Sequence, residues 1–137
     1  MSERKRRHGL GAVAFGLALS VLTCGCSGSD GPARYSVRGT VTYDGNPVPA
    51  GQIAFEPDAA KGNSGPASYV RISNGTFATA RGEGAVGGPH VVRILGMDGQ
   101  ASPESPDGIM LFSEYETSVD LPKAASTQEF SVPGSHR

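Results

Sequence analysis

The feature that most restricts the fold of this chain is a strict alternation of apolar or small residues with polar ones. One side of the alternation carries Tyr35, Val37, Gly39, Val41 and Tyr43, and the other side carries Ser, Arg and Thr. A period of two with β-branched and aromatic residues predicts a strand with one buried face. The 20 Gly and 10 Pro of the chain favour further short strands and turns over long helices.

Two turn signals divide the chain after this first strand. In the first, Asp44 and Gly45 precede Pro47; Gly45 accepts positive φ, and Pro47 cannot donate to a strand ladder. In the second, Asn74 and Gly75 form the dipeptide that two-residue type I′ hairpins favour. The flanking segments of this predicted hairpin are Ser68–Ser73 and Thr76–Ala80.

The rest of the chain continues as short apolar runs between polar, Gly- and Pro-containing loops. The further predicted strands are Gly51–Phe55, His90–Leu95, Ile109–Phe112 leading into a bulged or broken Glu114–Leu121, and Gln128–Val132. Long loops are predicted at Glu56–Ala67 and Asp98–Gly108. About seven strands at this spacing predict an all-β fold, a single antiparallel Greek-key β-sandwich.

The first 26 residues have a different character. A basic stretch, Arg4–Arg7, precedes an apolar run, Leu10–Leu22, and small residues and two cysteines follow. This order is typical of a secretory signal, and the run is shorter than the roughly 20 apolar residues that span a bilayer. A signal-peptide helix is therefore predicted ahead of the β-domain.

The end of this segment, Thr23-Cys24-Gly25-Cys26, resembles the lipobox of bacterial lipoproteins. The resemblance implies that Cys26 is acylated and becomes the mature N-terminus, because the small Gly25 precedes it, whereas Thr23 precedes Cys24. Acylation of Cys24 and an ordinary cleaved signal are the alternatives. No other cysteine exists in the chain, so the exported domain is expected to fold without a disulfide.

These features predict four segments. They are a lipoprotein signal peptide (1–25), a lipidated Cys with a flexible Gly/Ser-rich tether (26–34), the sandwich (35–133) and a C-terminal tail (134–137). The expected location is the cell envelope, with the lipid as membrane anchor; Ser27, where Asp often marks inner-membrane retention, favours the outer membrane. From Cys26 onwards the acidic residues outnumber the basic ones, which excludes a nucleic-acid footprint.

The order of residues in the first strands resembles the carboxypeptidase regulatory-like (transthyretin-like) domains. The resemblance follows Val37-x-Gly39-x-Val41-x-Tyr43-Asp44-Gly45-x-Pro47-Val48-x-x-Gly51-x-Ile53-x-Phe55, and continues at Asn74-Gly75 and Gly88-Pro89-His90. It covers Tyr35–Val132 and implies a transthyretin-like sandwich of the kind found in small planctomycete lipoproteins. The residues of the shared motif are structural: Gly39, Asp44, Gly45, Pro47, Gly51, Asn74, Gly75 and Gly88. They specify a fold and not a reaction.

Catalytic relatives of such sandwiches need residues that this chain lacks. His90 is followed by Val, Val and Arg instead of the His-x-x-Glu pair of zinc carboxypeptidases, and the C-terminus lacks the Tyr-Arg-Gly-Ser of hydroxyisourate hydrolases. Two well-placed iron-binding His residues are missing from the body, and Arg38 stands on the first strand where an isopeptide-forming domain has Lys. The expectation is a protein that is not an enzyme and needs no cofactor.

A few residues remain as weaker site candidates. His90 is expected to be a half-exposed, hydrogen-bonded histidine at the sandwich rim. An acidic loop could bind calcium, although solvated acids fit its spacing better. The acids of this loop are Asp98, Glu104 and Asp107; the other candidates are Glu114 and Glu116 beside Tyr115, and Ser113 or Ser118 as nucleophiles without a marked base.

The expected function is a non-catalytic envelope lipoprotein that presents the sandwich as a binding or adhesion module. The two long loops would face a protein or an envelope polysaccharide, because recognition usually resides in loops on a rigid scaffold. Both loops lack aromatic residues, which weakens the sugar alternative. The other hypotheses are a structural or assembly component and a hydrolase that uses His90, and the sequence leaves the oligomeric state open.

Overall fold

The computed structural model describes residues 31–135, and this part of the chain is built almost entirely from β-strands. The strands are β1 (Val37–Tyr43), β2 (Asn46–Pro47), β3 (Ala50–Pro57), β4 (Ser68–Ser73), β5 (Thr76–Ala78), β6 (Gly88–Met97), β7 (Tyr115–Leu121) and β8 (Ser126–Val132). One short 3₁₀ helix spans Ala59–Lys61. The all-β prediction is confirmed, while the predicted signal-peptide helix and Cys26 lie outside the described residues.

The strands form one curled sheet with a Greek-key order. Along the sheet the order is β2-β1-β5-β4-β3-β6-β7, and β8 pairs with β1. β3, β4 and β5 are consecutive antiparallel neighbours, and β6 returns to pair with the free side of β3. This return connection is the defining feature of a Greek key. None of the helices among residues 31–135 is long and apolar enough to cross a membrane.

One pairing differs from the expected antiparallel arrangement. β8 runs parallel to β1, with a register that extends from Val37 opposite Ser126 to Tyr43 opposite Val132. All other named strand pairs are antiparallel. The sequence could not reveal this, because side chains alternate with the same period in parallel and antiparallel strands.

The core lies between two layers of the curled sheet. β4 and β5 share one register pair, Ser73 with Thr76, and then diverge. Phe55 of β3 therefore faces Phe77 of β5 and Phe130 of β8, with ring centroids 5.8 and 6.0 Å apart. Burying such an aromatic side chain contributes roughly 1.5–3 kcal/mol, so these contacts hold the layers together as a sandwich.

Two tight turns have the conformation that their dipeptides favour. Asp44 and Gly45 have φ values of 47° and 77°, and Asn74 and Gly75 have φ values of 50° and 76°. Positive φ at both central positions is the requirement of a type I′ turn. Pro47 lies in the two-residue strand β2, opposite Thr42.

The two ends of the sandwich are distinguished by where the chain enters. Arg34 lies at one end, where its Nε donates to the backbone oxygen of Gly84 at 2.6 Å; we call this the entry end. The tether predicted to reach residue 34 is therefore bound to the domain at its last residue. β3 runs away from the opposite end, where Ala50 pairs with Met97, towards the entry end, where Pro57 pairs with His90.

Candidate functional site

The two long loops do not share a surface. The loop after Pro57 lies at the entry end, where Asn63 Nδ2 donates to the Pro89 oxygen at 2.7 Å. The loop that begins at Asp98 follows Met97 and lies at the far end of the sandwich. The length of β3 separates them by about 23 Å. The two loops therefore do not form one continuous contact surface, and their role in binding a partner stays a prediction.

The outer face of the layer β4-β3-β6-β7 carries a continuous row of paired residues. Tyr69 of β4 pairs with Ala54 of β3, Ala54 pairs with Arg93 of β6, and Arg93 pairs with Glu116 of β7. The row exists because β4 and β6 alternate strictly, with Val70 inside and its neighbour Tyr69 outside. Aligned registers thus place an aromatic ring, a small residue and a charged pair side by side.

Tyr69 is the most exposed aromatic side chain among the described residues. It is 62% exposed, in contrast to the buried Ser68 and Val70 that precede and follow it. An exposed tyrosine offers a flat apolar ring with a polar hydroxyl at its tip. The outer face therefore presents a platform on which the apolar side of a ligand can pack.

Arg93 is held by three carboxylates. Its Nη1 lies 3.2 Å from Glu114 Oε1 and 2.8 Å from Glu116 Oε2, and its Nε lies 3.3 Å from Glu56 Oε2. The hydrogen bond to Glu114 and then that to Glu56, with the charge of Glu116, raise the pKa of Arg93 above its ordinary value. The guanidinium stays charged and fixed in orientation, because several partners constrain one planar fork.

These residues surround a shallow groove. Ala54, the small residue of the row, leaves space between Tyr69 and Arg93, and the resulting groove has a volume of about 110 Å³. The other lining residues are Gln52, Glu56, Leu95 and Glu114. The groove is smaller than the roughly 300–1,000 Å³ of enclosed small-molecule sites. It is suited to a ligand that lies along the sheet.

The acidic loop at the far end is a braced structure and borders this face. Asp98 Oδ1 accepts from the backbone nitrogens of Gln100 and Ile109, at 2.9 and 3.1 Å. Asp107 forms an ion pair with Arg71 of β4. These two carboxylates are engaged within the protein, and no group of three potential metal ligands occurs among residues 31–135. The loop gives the calcium hypothesis no support.

Two apolar side chains are exposed next to this loop. Ile109 is 72% exposed and Met110 is 58% exposed, although Met110 forms a bridge with Met97 of β6. The following residue, Leu111, lines a groove with Tyr43 and Pro47. The far end therefore offers an apolar contact surface distinct from the groove over Ala54.

His90 occupies the interior and not the rim. Its side chain is fully buried, and Nδ1 lies 2.8 Å from the backbone oxygen of Gly88. Nε2 has no protein hydrogen-bond partner. The expected hydrogen bond exists, but the expected half exposure is wrong because His90 is the third residue of β6 and points into the core. A substrate has no open path to a fully buried imidazole.

The remaining sequence candidates lie in different places. Glu114 and Glu116 form ion pairs with Arg93. Glu104 is exposed on the acidic loop. Ser113 and Ser118 are exposed, the latter on β7. The structural motif residues lie in turns and close backbone contacts: Asp44, Gly45, Asn74 and Gly75 in the two turns, Gly39 against Gln128, Gly51 against Leu95, and Gly88 at the start of β6.

Two comparisons of the sequence with known proteins gave no match. No protein-family model matches the chain, and no curated protein sequence is significantly similar to it. The resemblance to carboxypeptidase regulatory-like domains therefore stays a prediction, and function has to be inferred from the geometry of the domain.

Tyr69 and Arg93 were not singled out from the sequence. One signal could have identified Tyr69: it is a large aromatic residue at an outward position of the predicted strand Ser68–Ser73. The partners of Arg93 could not be predicted, since they come from β3 and β7 and the segment before β7.

Proposed function

We propose that this protein is an exported, lipid-anchored lipoprotein of the cell envelope that presents its β-sandwich as a non-catalytic binding module. The outer membrane is the proposed site of the anchor. The observation that most supports the binding role is the row Tyr69–Ala54–Arg93–Glu116 on the outer sheet face. It combines an exposed aromatic ring with charged groups that are already fixed before a ligand arrives.

Fixed polar groups favour binding because they have little conformational freedom left to lose. Immobilising one flexible side chain costs about 0.5–1.5 kcal/mol on association. Arg93, with hydrogen bonds or ion pairs to Glu56, Glu114 and Glu116, is already constrained. A surface arginine that served only solubility would need no such set of partners.

The anchoring half of the proposal rests on the segment that ends at Cys26. Mass spectrometry of the protein from a lipidating host should find a diacylglyceryl-modified N-terminus at Cys26. Cys26→Ala should move the protein from the membrane to the soluble fraction, whereas Cys24→Ala should leave it in the membrane. Unchanged membrane association of Cys26→Ala would contradict the anchor.

The binding half is tested by sedimentation with isolated envelope fragments, in detergent that keeps the lipid anchor from inserting into membranes. Wild-type protein should co-sediment. Tyr69→Ala should reduce the bound fraction and leave the far-UV circular dichroism spectrum of the protein unchanged. Lys123→Ala, at an exposed position in the β7–β8 connection, is the matched surface control. Equal binding by wild type and Tyr69→Ala would mean that the outer sheet face is not the binding surface.

A structural or assembly role is the second candidate, supported by the exposed pair Ile109 and Met110 at the far end. The edge strands favour it less. β7 and β8 each have one unpaired side in the sheet, and both carry outward acidic residues, among them Asp120 and Glu129, which oppose edge-to-edge pairing. Light scattering of wild type and of Ile109→Ser, Met110→Ser tests this candidate: an assembly would dissociate in the double variant.

A further inference from the structure

We propose that the groove over Ala54 is a binding site for a neutral polysaccharide, with Tyr69 as its stacking platform; this assignment rests on the proposed binding function and names its ligand class. The groove lies between Tyr69 on one side and Arg93 on the other. The chemistry of the two sides is different, and a sugar chain is a ligand that matches both.

The Tyr69 side of the groove is apolar. The tyrosine side chain is 62% exposed, the buried Ala54 forms the floor beside it, and the partly exposed Leu95 lies across the groove on β6. A pyranose ring has a face of C–H groups, which packs on an aromatic ring and removes apolar area of both partners from water. The aromatic platform that the two long loops lack is thus present on the sheet.

The Arg93 side of the groove offers planar hydrogen-bonding groups of both kinds. The guanidinium of Arg93 only donates, the carboxylates of Glu56 and Glu114 only accept, and the amide of Gln52 does both. Sugar hydroxyls also donate and accept, and they occur in adjacent pairs. Donors and acceptors in fixed positions therefore suit a polyhydroxylated ligand.

The charge balance of the face selects a neutral polymer over an anionic one. One guanidinium faces three carboxylates, Glu56, Glu114 and Glu116, so the cluster has an excess of negative charge. An anionic polysaccharide would bring like charges together in a partly desolvated contact, which is unfavourable. The engaged guanidinium cannot offset this repulsion alone.

The dimensions of the site favour a chain of sugars over a single cation. Tyr69 and Arg93 stand on strands separated by β3, which places their backbones about 10 Å apart. One ammonium group is small against this span, so one that pairs with Glu56 beside the ring would leave the Arg93 strand uncontacted. Linked sugar rings are long enough to contact Tyr69 and Arg93 together.

The test uses the full lipidated chain extracted from membranes in detergent. Affinity electrophoresis should show retardation in gels that contain a neutral polysaccharide, with a set of glucans, galactomannan and xylan as probes. Polygalacturonate, chitosan and polylysine serve as the anionic polysaccharide, the cationic polysaccharide and the cationic polypeptide. Tyr69→Ala should weaken retardation by the neutral probe about tenfold or more, as truncation of a central aromatic contact does.

Arg93→Gln and Ile109→Ser make the test specific to the groove. Arg93→Gln should also weaken binding of the neutral probe, whereas Ile109→Ser, at the far end, should bind like wild type. Retardation by chitosan or polylysine alone would overturn the assignment in favour of cation recognition. Lack of retardation by every neutral probe, or full retention of binding in a folded Tyr69→Ala, would also overturn it.

The outcome of the envelope sedimentation distinguishes this inference from the proposed function. If wild type binds envelope fragments but no neutral polysaccharide, the ligand class is wrong and the binding role stands. If wild type binds neither, both are wrong. Digestion of the fragments with glycosidases before sedimentation should remove the binding when the neutral polysaccharide is the ligand.

Discussion

Gly39 of β1 lies against the backbone of Gln128 in β8, so closely that a methyl group at residue 39 would overlap the Gln128 carbonyl oxygen. The two residues are register partners in the parallel pair of the fold. Because the obstacle is backbone and not a flexible side chain, it cannot move aside without displacing β8. The absence of a side chain at Gly39 is thus a condition for the contact between the first and last strands.

We therefore expect Gly39→Ala to lower the free energy of unfolding by about 1–3 kcal/mol, the usual cost of overpacking a tight contact. Urea unfolding followed by circular dichroism measures the change. Gly31→Ala is the matched control, because a β-carbon at Gly31 meets no atom within 4 Å. Equal stability of Gly39→Ala and wild type would mean that β1 and β8 do not pair as described.

The sequence was sufficient to predict the features that depend on local patterns. Alternation predicted β1, with Val37 and Val41 buried as expected, and the dipeptides Asp44-Gly45 and Asn74-Gly75 coincide with turns at positive φ. The Greek-key order of β3 to β6 also agrees with the prediction. The alternation and the turns follow from steric preferences of a few neighbouring residues, whereas the Greek-key prediction came from the number and spacing of the strands.

The features that the sequence did not predict depend on which strands become neighbours. The parallel pairing of β8 and the burial of His90 are examples, because a one-dimensional pattern contains neither strand order nor depth in the core. The groove on the outer face also depends on which strands are neighbours. Tyr69 and Arg93 are distant in sequence, and only the aligned registers of β4, β3 and β6 bring them to one row.

The two tight turns allow the cost of backbone strain to be separated from the cost of a clash. Gly45 and Gly75 have almost the same φ, 77° and 76°, but a β-carbon at Gly45 meets open space, whereas one at Gly75 lies 2.6 Å from Pro47 Cβ. Gly45→Ala should cost about 1–2 kcal/mol from the left-handed conformation alone. Gly75→Ala should cost about 1–3 kcal/mol more, because the methyl group overpacks the contact with Pro47.

Thermal and urea unfolding of the two variants measures this difference. Their turns share the same backbone conformation, so the conformational cost cancels in the comparison. An equal decrease in the free energy of unfolding for Gly45→Ala and Gly75→Ala would contradict the contact between Gly75 and Pro47. The variant Gly75→Ala, Pro47→Gly tests it further, since removing the β-carbon of residue 47 should restore part of the stability lost relative to Pro47→Gly alone.

Core and surface aromatics should respond differently to truncation. Phe55 is fully buried and contacts Phe77 and Phe130 across the two layers, so Phe55→Ala should cost about 3–5 kcal/mol. Tyr69→Ala should change stability by no more than about 0.5 kcal/mol, as expected for an exposed position. Urea unfolding gives both values. A large loss in Tyr69→Ala would indicate a structural role for Tyr69 and weaken its assignment as a binding residue.

His90 provides a test of whether its imidazole serves the fold or a reaction. Its Nδ1 donates to the Gly88 oxygen, while Nε2 is buried without a protein partner. A buried polar atom without a partner costs about 1–3 kcal/mol, a cost that His90→Leu removes at Nε2, whereas the loss of the hydrogen bond at Nδ1 costs about 0.5–1.5 kcal/mol. His90→Leu should therefore keep the fold, with a free energy of unfolding within about 1 kcal/mol of wild type. It should also keep the binding of envelope fragments, because His90 is on the opposite side of the sheet from Tyr69. A loss of binding in a stable His90→Leu protein would show that the interior of the domain takes part in recognition, contrary to the role assigned to its outer face.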